Sequence, residues 1–267
     1  MEKYLLRSAG LALLAFAFAL TGLAQGLMWE STMSGPMFQG KTITSTAYYA
    51  PKKLKESTGM GDQYTIIRLD KETMYVVNPS EKSYAAMTFT EMEKQMKQAN
   101  AQMDQSMGEM QEKLKSMPEA QRKMVEQMMA NRMQAKTEGP AAEVVNTGEK
   151  RTISGYACTK YLIKQDTAVL ATVWTTPEVK LNSVMQSDME AFMTRMASMN
   201  PMMPKGIIDG MKKIKGFPIE QEMGGAQGVK TVVTKVEAKT LPAAEFDVPA
   251  GFTKKSMEAM QEGGGKR

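Results

Sequence analysis

Methionine is the residue type whose chemistry stands out in this sequence. The chain contains 28 methionines and no histidine among its 267 residues. Thioether sulfur is a soft ligand that suits Cu(I), and two groups of three methionines recur at i, i+4 and i+7. Because that spacing places three side chains on one helix face, both groups are candidate Cu(I) sites. Their members are Met103, Met107, Met110, Met189, Met193 and Met196.

Two other interpretations of the methionines remain open. Methionine forms helices well and fills irregular gaps, so the stripes also fit ordinary helix packing. A row of flexible, polarizable side chains equally suits a surface that accepts varied apolar partners. Trp29 and Trp174 could line such a surface or anchor the core. The candidate residues for an apolar ligand are Met103, Met107, Met110, Met185, Met189, Met193, Met196, Trp29 and Trp174.

Enzyme chemistry finds little support in the sequence. Without histidine, neither a Ser–His–Asp nor a Cys–His arrangement can form, and no glycine-rich phosphate loop is present. The single cysteine, Cys158, excludes an intramolecular disulfide. It lies in a predicted strand, where a small buried hydrophobe is a better interpretation than a redox or metal role. The sequence therefore predicts a non-enzymatic protein without a cofactor.

The first residues predict export. Lys3 and Arg7 form a basic start, and an apolar run from Leu11 to Leu20 follows. Gly22 and Ala24 are the small residues expected before a cleavage site, so residues 1–24 are predicted to be a signal peptide. A retained short N-terminal anchor is the alternative. The net charge of +5 comes without a dense basic block, which argues against a nucleic-acid partner.

The elements that must position the methionines follow from periodicity. Strand patterns predict a single strand-rich domain over residues 25–255. Thr90 and Glu93 match a capping box, after which apolar residues recur every three or four positions. This predicts a helical hairpin insertion at about 90–136, with a second helical segment at about 178–213. The tail, 256–267, is predicted to be disordered.

Several motifs, taken in order, resemble an uncharacterised bacterial family, DUF4412. They are "YYAPKKLKES", "YTIIRLDKETMYVVNPSEKSYAAMTF", "TGEKRTISGYACTKYLI", "VWTT", "KGFPIEQEM" and "FDVPAGF". This family is distantly similar to the lipoprotein carriers LolA and LolB, although Lys71 stands where the carriers have a turn glycine. The resemblance implies an α+β fold: an incomplete antiparallel β-barrel, with Met-rich helical insertions plugging a cavity for acyl chains.

These observations together predict a periplasmic or envelope protein that binds or carries an apolar ligand. The ligand expected is a lipid, an acyl chain or a lipoprotein, and peripheral contact with a membrane is compatible with it. Two alternatives stay open. One is a Met-rich Cu(I)-binding protein, and the other is a structural protein-interaction module that uses the helices between Met92 and Met133.

Overall fold

The structure, a computed structural model, describes residues 26–59, 61–115, 142–199, 205–224 and 228–264. The predicted signal peptide and the predicted second helix of the hairpin lie outside these residues. The strands are β1 (Gly26–Ser34), β2 (Ile43–Ala50), β3 (Lys53–Thr58), β4 (Tyr64–Arg68), β5 (Thr73–Asn78), β6 (Ser83–Thr88), β7 (Glu143–Ile153), β8 (Tyr156–Gln165), β9 (Ala168–Thr176), β10 (Phe217–Met223), β11 (Val229–Lys239) and β12 (Thr253–Lys254).

Four α-helices accompany the strands in the described part of the chain. They are α1 (Phe89–Lys115), α2 (Ser183–Met199), α3 (Lys205–Lys213) and α4 (Met257–Gly264). Helices α2 and α3 fall within the range for which the sequence predicts a second helical segment. None of the described helices is long and apolar enough to cross a membrane.

All the strands join one open sheet in the order β12-β6-β5-β4-β3-β2-β1-β11-β10-β9-β8-β7. Neighbours pair antiparallel, except that β12 pairs parallel with β6. The antiparallel α+β prediction is therefore confirmed, whereas closure towards an incomplete barrel stays a prediction. Tight turns connect β1 to β6 as a meander, and Lys52, Glu72 and Lys82 take left-handed backbone conformations in them.

The inner face is defined here as the sheet face that carries Leu27, Tyr49, Ile67 and Trp174. These side chains belong to the largest apolar cluster, which also takes in buried residues of α1 and α2. Successive residues of a strand point to opposite faces, so their neighbours form the outer face. On the outer face, α3 covers a small cluster around Ile163, and the segment after β11 brings Phe246 onto Ile66 and Val77.

A buried arginine ties the segment after β11 to the outer face. The Arg68 guanidinium donates to both carboxylate oxygens of Asp70, at 2.8 and 2.6 Å. It also donates to Asp247 at 2.6 Å and to the Phe246 carbonyl at 3.1 Å. The hydrogen bonds from Arg68 hold the pKa of Asp70 below its ordinary value. Arg68 thus fixes the stretch around Phe246 and Asp247, which lies between β11 and β12 and belongs to neither strand.

The prediction of a disordered tail is wrong for the described part of it. Helix α4 forms there, and Met260 is only 2% exposed. The Ser83 hydroxyl donates to the Met260 sulfur at 3.5 Å, and the Ser256 hydroxyl accepts from the Ala259 amide at the start of the helix. Composition favours disorder here, but burial of one methionine and a helix cap outweigh it.

We expect Arg68→Ala to lower the free energy of unfolding by about 2–3 kcal/mol, because it removes four charge-assisted hydrogen bonds from a buried position. Lys71 also pairs with Asp247, but at 3.4 Å and with both side chains half exposed. Lys71→Ala is the matched control and should cost less than about 0.5 kcal/mol. Urea unfolding followed by tryptophan fluorescence measures both. Equal effects of the two substitutions would contradict the role given to Arg68.

Candidate functional site

A row of large apolar side chains crosses the inner face from β1 to β6. Each member is the direct cross-strand partner of the next. Side chains paired in this way contact one another, so the row is continuous. We call it the apolar row; its members are Leu27, Tyr49, Leu54, Ile67, Met74 and Met87.

Helix α2 lies on the inner face and belongs to the same apolar cluster. Its Met185 and Phe192 are buried, and Met189 packs against the cluster while remaining partly exposed. The Phe192 ring meets the Tyr49 ring edge to face, with centroids 6.5 Å apart. The Asn182 side chain caps the helix by accepting from the Met185 amide at 2.8 Å. The Asn182 cap fixes where α2 begins, and the buried side chains of Met185 and Phe192 determine which face of the helix meets the sheet.

A carboxylate on the buried side of α2 makes the polar contact between this helix and the sheet. Asp188 is 6% exposed and accepts from the Tyr49 hydroxyl at 2.7 Å and from the Lys52 amide at 2.6 Å. Burial, and then the bond to Asp188, raise the pKa of the Tyr49 hydroxyl well above its ordinary value. Lys52 has φ of 62°, which is uncommon for a residue with a side chain. We call these three residues the α2 latch.

Helix α1 is attached to the scaffold through its beginning. Phe89 and Met92 are buried in the main cluster, and Glu93 pairs with Arg195 of α2 at 3.0 Å. The Arg195 guanidinium also lies over the Phe89 ring, 4.8 Å from its centroid. Every side chain that the structure describes between residues 97 and 109 is exposed. The first turns of α1 therefore pack on the scaffold, and the described side chains of its later turns form an exposed, mainly polar face.

The capping box of α1 lies two residues before the predicted one. The Glu91 amide donates to the Thr88 hydroxyl at 3.1 Å, and the Thr88 amide donates back to the Glu91 carboxylate at 2.8 Å. The prediction of the box at Thr90 and Glu93 is wrong. Thr88–Glu91 and Thr90–Glu93 both match the T-x-x-E pattern, and only the hydrogen bonds in the structure show which pair forms the box. Glu93 is instead left to pair with α2.

Trp29 and Trp174, the tryptophans named as candidate ligand contacts or core anchors, both pack within the main cluster. Trp174 is buried, with the Arg151 guanidinium 4.3 Å and the Lys160 ammonium 5.5 Å from its ring centroid. Arg151 in turn pairs with Glu220 at 2.7 Å. Trp29 is partly exposed and meets Phe217 edge to face at 6.0 Å. Trp29 therefore lies on β1, two residues along from Leu27 of the apolar row, whereas Trp174 lies on β9, beyond the row.

The structure brings only some of the predicted methionines to the inner face. Met185 is buried there, while Met189 and Met193 are partly exposed on α2. Met103, Met107 and Met110 lie on α1 and Met196 on α2, but their side chains fall outside the described residues. The Cu(I) interpretation of these methionines stays a hypothesis. Among the described residues, no three His, Cys, Asp or Glu side chains form a group that could hold a metal.

The α2 latch was not predicted from the sequence. Asp188 sits between Met185 and Phe192 at the spacing of the buried stripe, so a carboxylate within an apolar stripe was the available signal.

Two surface clefts are also present. One, of about 490 Å³, is lined by Glu143, Val144, Asn146, Tyr161, Lys213 and Lys215. The other, of about 390 Å³, lies along α1. Most residues that line them carry charged or polar side chains, unlike the mainly hydrophobic lining typical of a site for an apolar ligand.

Fold and site define a protein in which helices shield the apolar inner face of an open antiparallel sheet. The chain belongs to the DUF4412 family, a domain of unknown function whose family model matches residues 90–252. The family prediction is therefore confirmed. A comparison with curated proteins finds no significant sequence match.

Solved structures show distant similarity only. An uncharacterized conserved protein from Thermus thermophilus is 6% identical, with 88% of this chain and 91% of that one covered and a TM-score of 0.43. A chain of the Pseudomonas aeruginosa MucA/MucB complex is 9% identical, with 85% of this chain and 56% of that one covered and a TM-score of 0.38. A LolA superfamily protein from Nitrosomonas europaea is 6% identical, with 84% of this chain and 90% of that one covered and a TM-score of 0.31. With TM-scores below 0.5, these similarities carry no inference about function.

Removing the latch carboxylate should loosen α2. We expect Asp188→Ala to lower the free energy of unfolding by about 2 kcal/mol, because it leaves the Tyr49 hydroxyl and the Lys52 amide without an acceptor. Asp188→Asn keeps one acceptor oxygen and should lose about half as much. Glu190→Ala, on the exposed side of α2, is the control and should change the stability by less than about 0.5 kcal/mol. A loss at Asp188 no larger than at Glu190, in urea unfolding, would exclude the latch.

Proposed function

We propose that this protein is a non-enzymatic binding or carrier protein that holds an apolar ligand on the inner face of its sheet. The ligand class is a lipid, an acyl chain or a lipidated protein. The observation that carries the proposal is the apolar row, which runs over six strands and is shielded by a helix rather than by another strand or sheet. A shielding helix can move while the sheet remains paired.

Rough energies favour exchange of the helix for a ligand. Burying an alkyl chain contributes about 0.8 kcal/mol per methylene, so a chain of roughly twelve carbons offers about 10 kcal/mol. The latch hydrogen bonds contribute about 1–3 kcal/mol in total, and each large side chain of α2 about 1.5–3 kcal/mol when buried. An alkyl chain can therefore offset the contacts of Met185, Phe192 and the latch.

Methionine is well suited to an interface that opens and closes. Met74 and Met87 belong to the apolar row, and Met185 and Met189 face the same cluster from α2. An unbranched thioether side chain adapts its rotamers at low cost, so such an interface can pack against a helix or against a ligand of variable shape. Leucine would hold one arrangement more firmly.

Export forms part of the same proposal. The signal peptide predicted over residues 1–24 would deliver the protein to the periplasm or another envelope compartment. Acyl chains, lipids and lipidated proteins are abundant in that compartment, and a shielded apolar face would let one of them pass through water. The proposal assigns no catalytic residue and no cofactor to the chain.

A titration with a neutral apolar probe tests the proposal. We expect delipidated protein to bind N-phenylnaphthylamine saturably, with an increase in probe fluorescence. Leu54→Gln places an amide in the apolar row and should weaken binding about tenfold, or about 1.4 kcal/mol. Val169→Gln alters an apolar side chain that is 45% exposed on β9, away from the row, and should leave binding unchanged.

Two results together would refute the proposed function. One is the absence of saturable probe binding by the folded, delipidated protein. The other is the absence of any lipid in protein purified from its native envelope, as judged by mass spectrometry. Equal weakening by Leu54→Gln and Val169→Gln would instead show that the probe binds outside the apolar row.

A further inference from the structure

Polarity changes in steps along the inner face of β1 to β6. Beside the apolar row, two residues along each strand and about 7 Å away, lies a second row of direct cross-strand partners. We call it the middle row; it consists of Trp29, Ala47, Glu56, Thr65, Val76 and Ala85. Two residues further along the strands, the inner face carries polar side chains, namely Ser31, Ser45, Thr58, Asn78 and Ser83. The inner face therefore runs from apolar to polar.

Glu56 carries the one ionizable side chain of the middle row. It lies in the middle of β3, between Ala47 of β2 and Thr65 of β4, and it is partly buried. It makes no hydrogen bond or ion pair with any residue that the structure describes. By contrast, Asp188 of α2 accepts two hydrogen bonds from buried donors, and Glu220, the cross-strand partner of Trp174, pairs with Arg151 and Lys230. Within the described part of the chain, Glu56 is thus an acceptor that no donor uses.

The environment of Glu56 disfavours its charged form. Burial raises the pKa of its carboxyl group above the ordinary value, and no opposing cause acts on it. A partly buried carboxylate without a partner costs stability, and groups with a perturbed pKa cluster at functional sites. A ligand that brings a positive charge would remove that cost.

We propose that Glu56 is the head-group site for an amphiphile that carries an ammonium group, with the apolar chain of the ligand on the apolar row. This inference rests on the proposed function and assigns the ligand a chemical class. A chain that lies along the strands can contact Leu54 and Ile67 while its head reaches Glu56, because the two rows are about 7 Å apart. The ammonium then gains a charge-assisted hydrogen bond in a poorly solvated place.

Displacement of bound N-phenylnaphthylamine by three molecules of equal chain length tests this inference. They are dodecylamine, dodecanol and dodecanoate, each used below its micelle concentration. We expect dodecylamine to displace the probe at a concentration about tenfold below that of dodecanoate, with dodecanol between them. The net charge of +5 attracts the carboxylate and repels the amine, so non-specific electrostatics acts in the opposite direction.

Two variants separate Glu56 from the rest of the surface. Glu56→Gln removes the charge at nearly constant shape, and it should bring the amine-to-carboxylate ratio to about one while dodecanol binding stays the same. It should also raise Tm by about 2 °C, because an uncompensated charge is no longer buried. Glu72→Gln, at an exposed turn, is the matched control and should leave the ratio and Tm unchanged.

The outcomes distinguish this inference from the proposed function. If the wild-type protein binds the amine and the carboxylate equally well, or if Glu56→Gln keeps the preference, the head-group site is refuted while apolar binding stands. If neither the probe nor any of the three molecules binds saturably, the proposed function fails and this inference fails with it. A preference that Glu72→Gln also abolishes would show a surface-charge effect and would refute the role of Glu56.

Discussion

An open sheet with a wide apolar face has to be covered, and this constraint governs the rest of the structure. The apolar row spans six strands, and water on it would cost far more than the few kcal/mol by which domains are stable. Helix α2 and the first turns of α1 supply the cover from chain segments that follow β9 and β6. The sheet is held by backbone ladders, whereas its cover is held mainly by side-chain contacts. The two can therefore separate without loss of the sheet.

Asp188 and Glu56, two of the carboxylates on the inner side of the sheet, differ in their hydrogen-bond partners among the described residues. Asp188 is buried with two donors, so it fixes α2 and adds directional specificity to a soft apolar contact. Glu56 has no such donors, and burial raises its pKa. Asp188 stabilises the contact of α2 with the sheet, whereas Glu56 has no hydrogen-bond donor among the described residues. This difference underlies our proposal that a charged amphiphile exchanges with the helix on this surface.

Periodicity and turn chemistry were enough to predict much of the scaffold. Alternating strands separated by short turns predicted the meander, and the step to three-and-four spacing after β6 predicted α1. Local sequence patterns were less reliable where two neighbouring segments match the same motif or where composition alone was used. Thr88–Glu91 and Thr90–Glu93 match one capping motif, and a glycine-rich end predicted disorder where Met260 anchors a helix. In both cases tertiary contacts decide the outcome, and no single-sequence pattern encodes them.

The candidate site was predicted only in outline. The methionine stripe of α2 pointed to an apolar surface, and Met185 lies there. The sequence does not single out Asp188, because one acidic residue within a stripe resembles a solvated position. Glu56 could not be found at all, since its importance depends on the register of three strands. The sequence shows which face of an element is apolar, but the pairing of elements shows which polar group lies beside it.

Hydrogen exchange in α2 tests the central claim most directly. Amide exchange across residues 183–199 would be measured by mass spectrometry on delipidated protein, with and without saturating dodecylamine. If the ligand takes the place of α2 on the apolar row, protection of the α2 amides should fall about tenfold while the ladders of β2 to β4 keep theirs. Unchanged or greater protection of α2 on saturation would contradict the account, because the helix would then not be the cover that the ligand replaces.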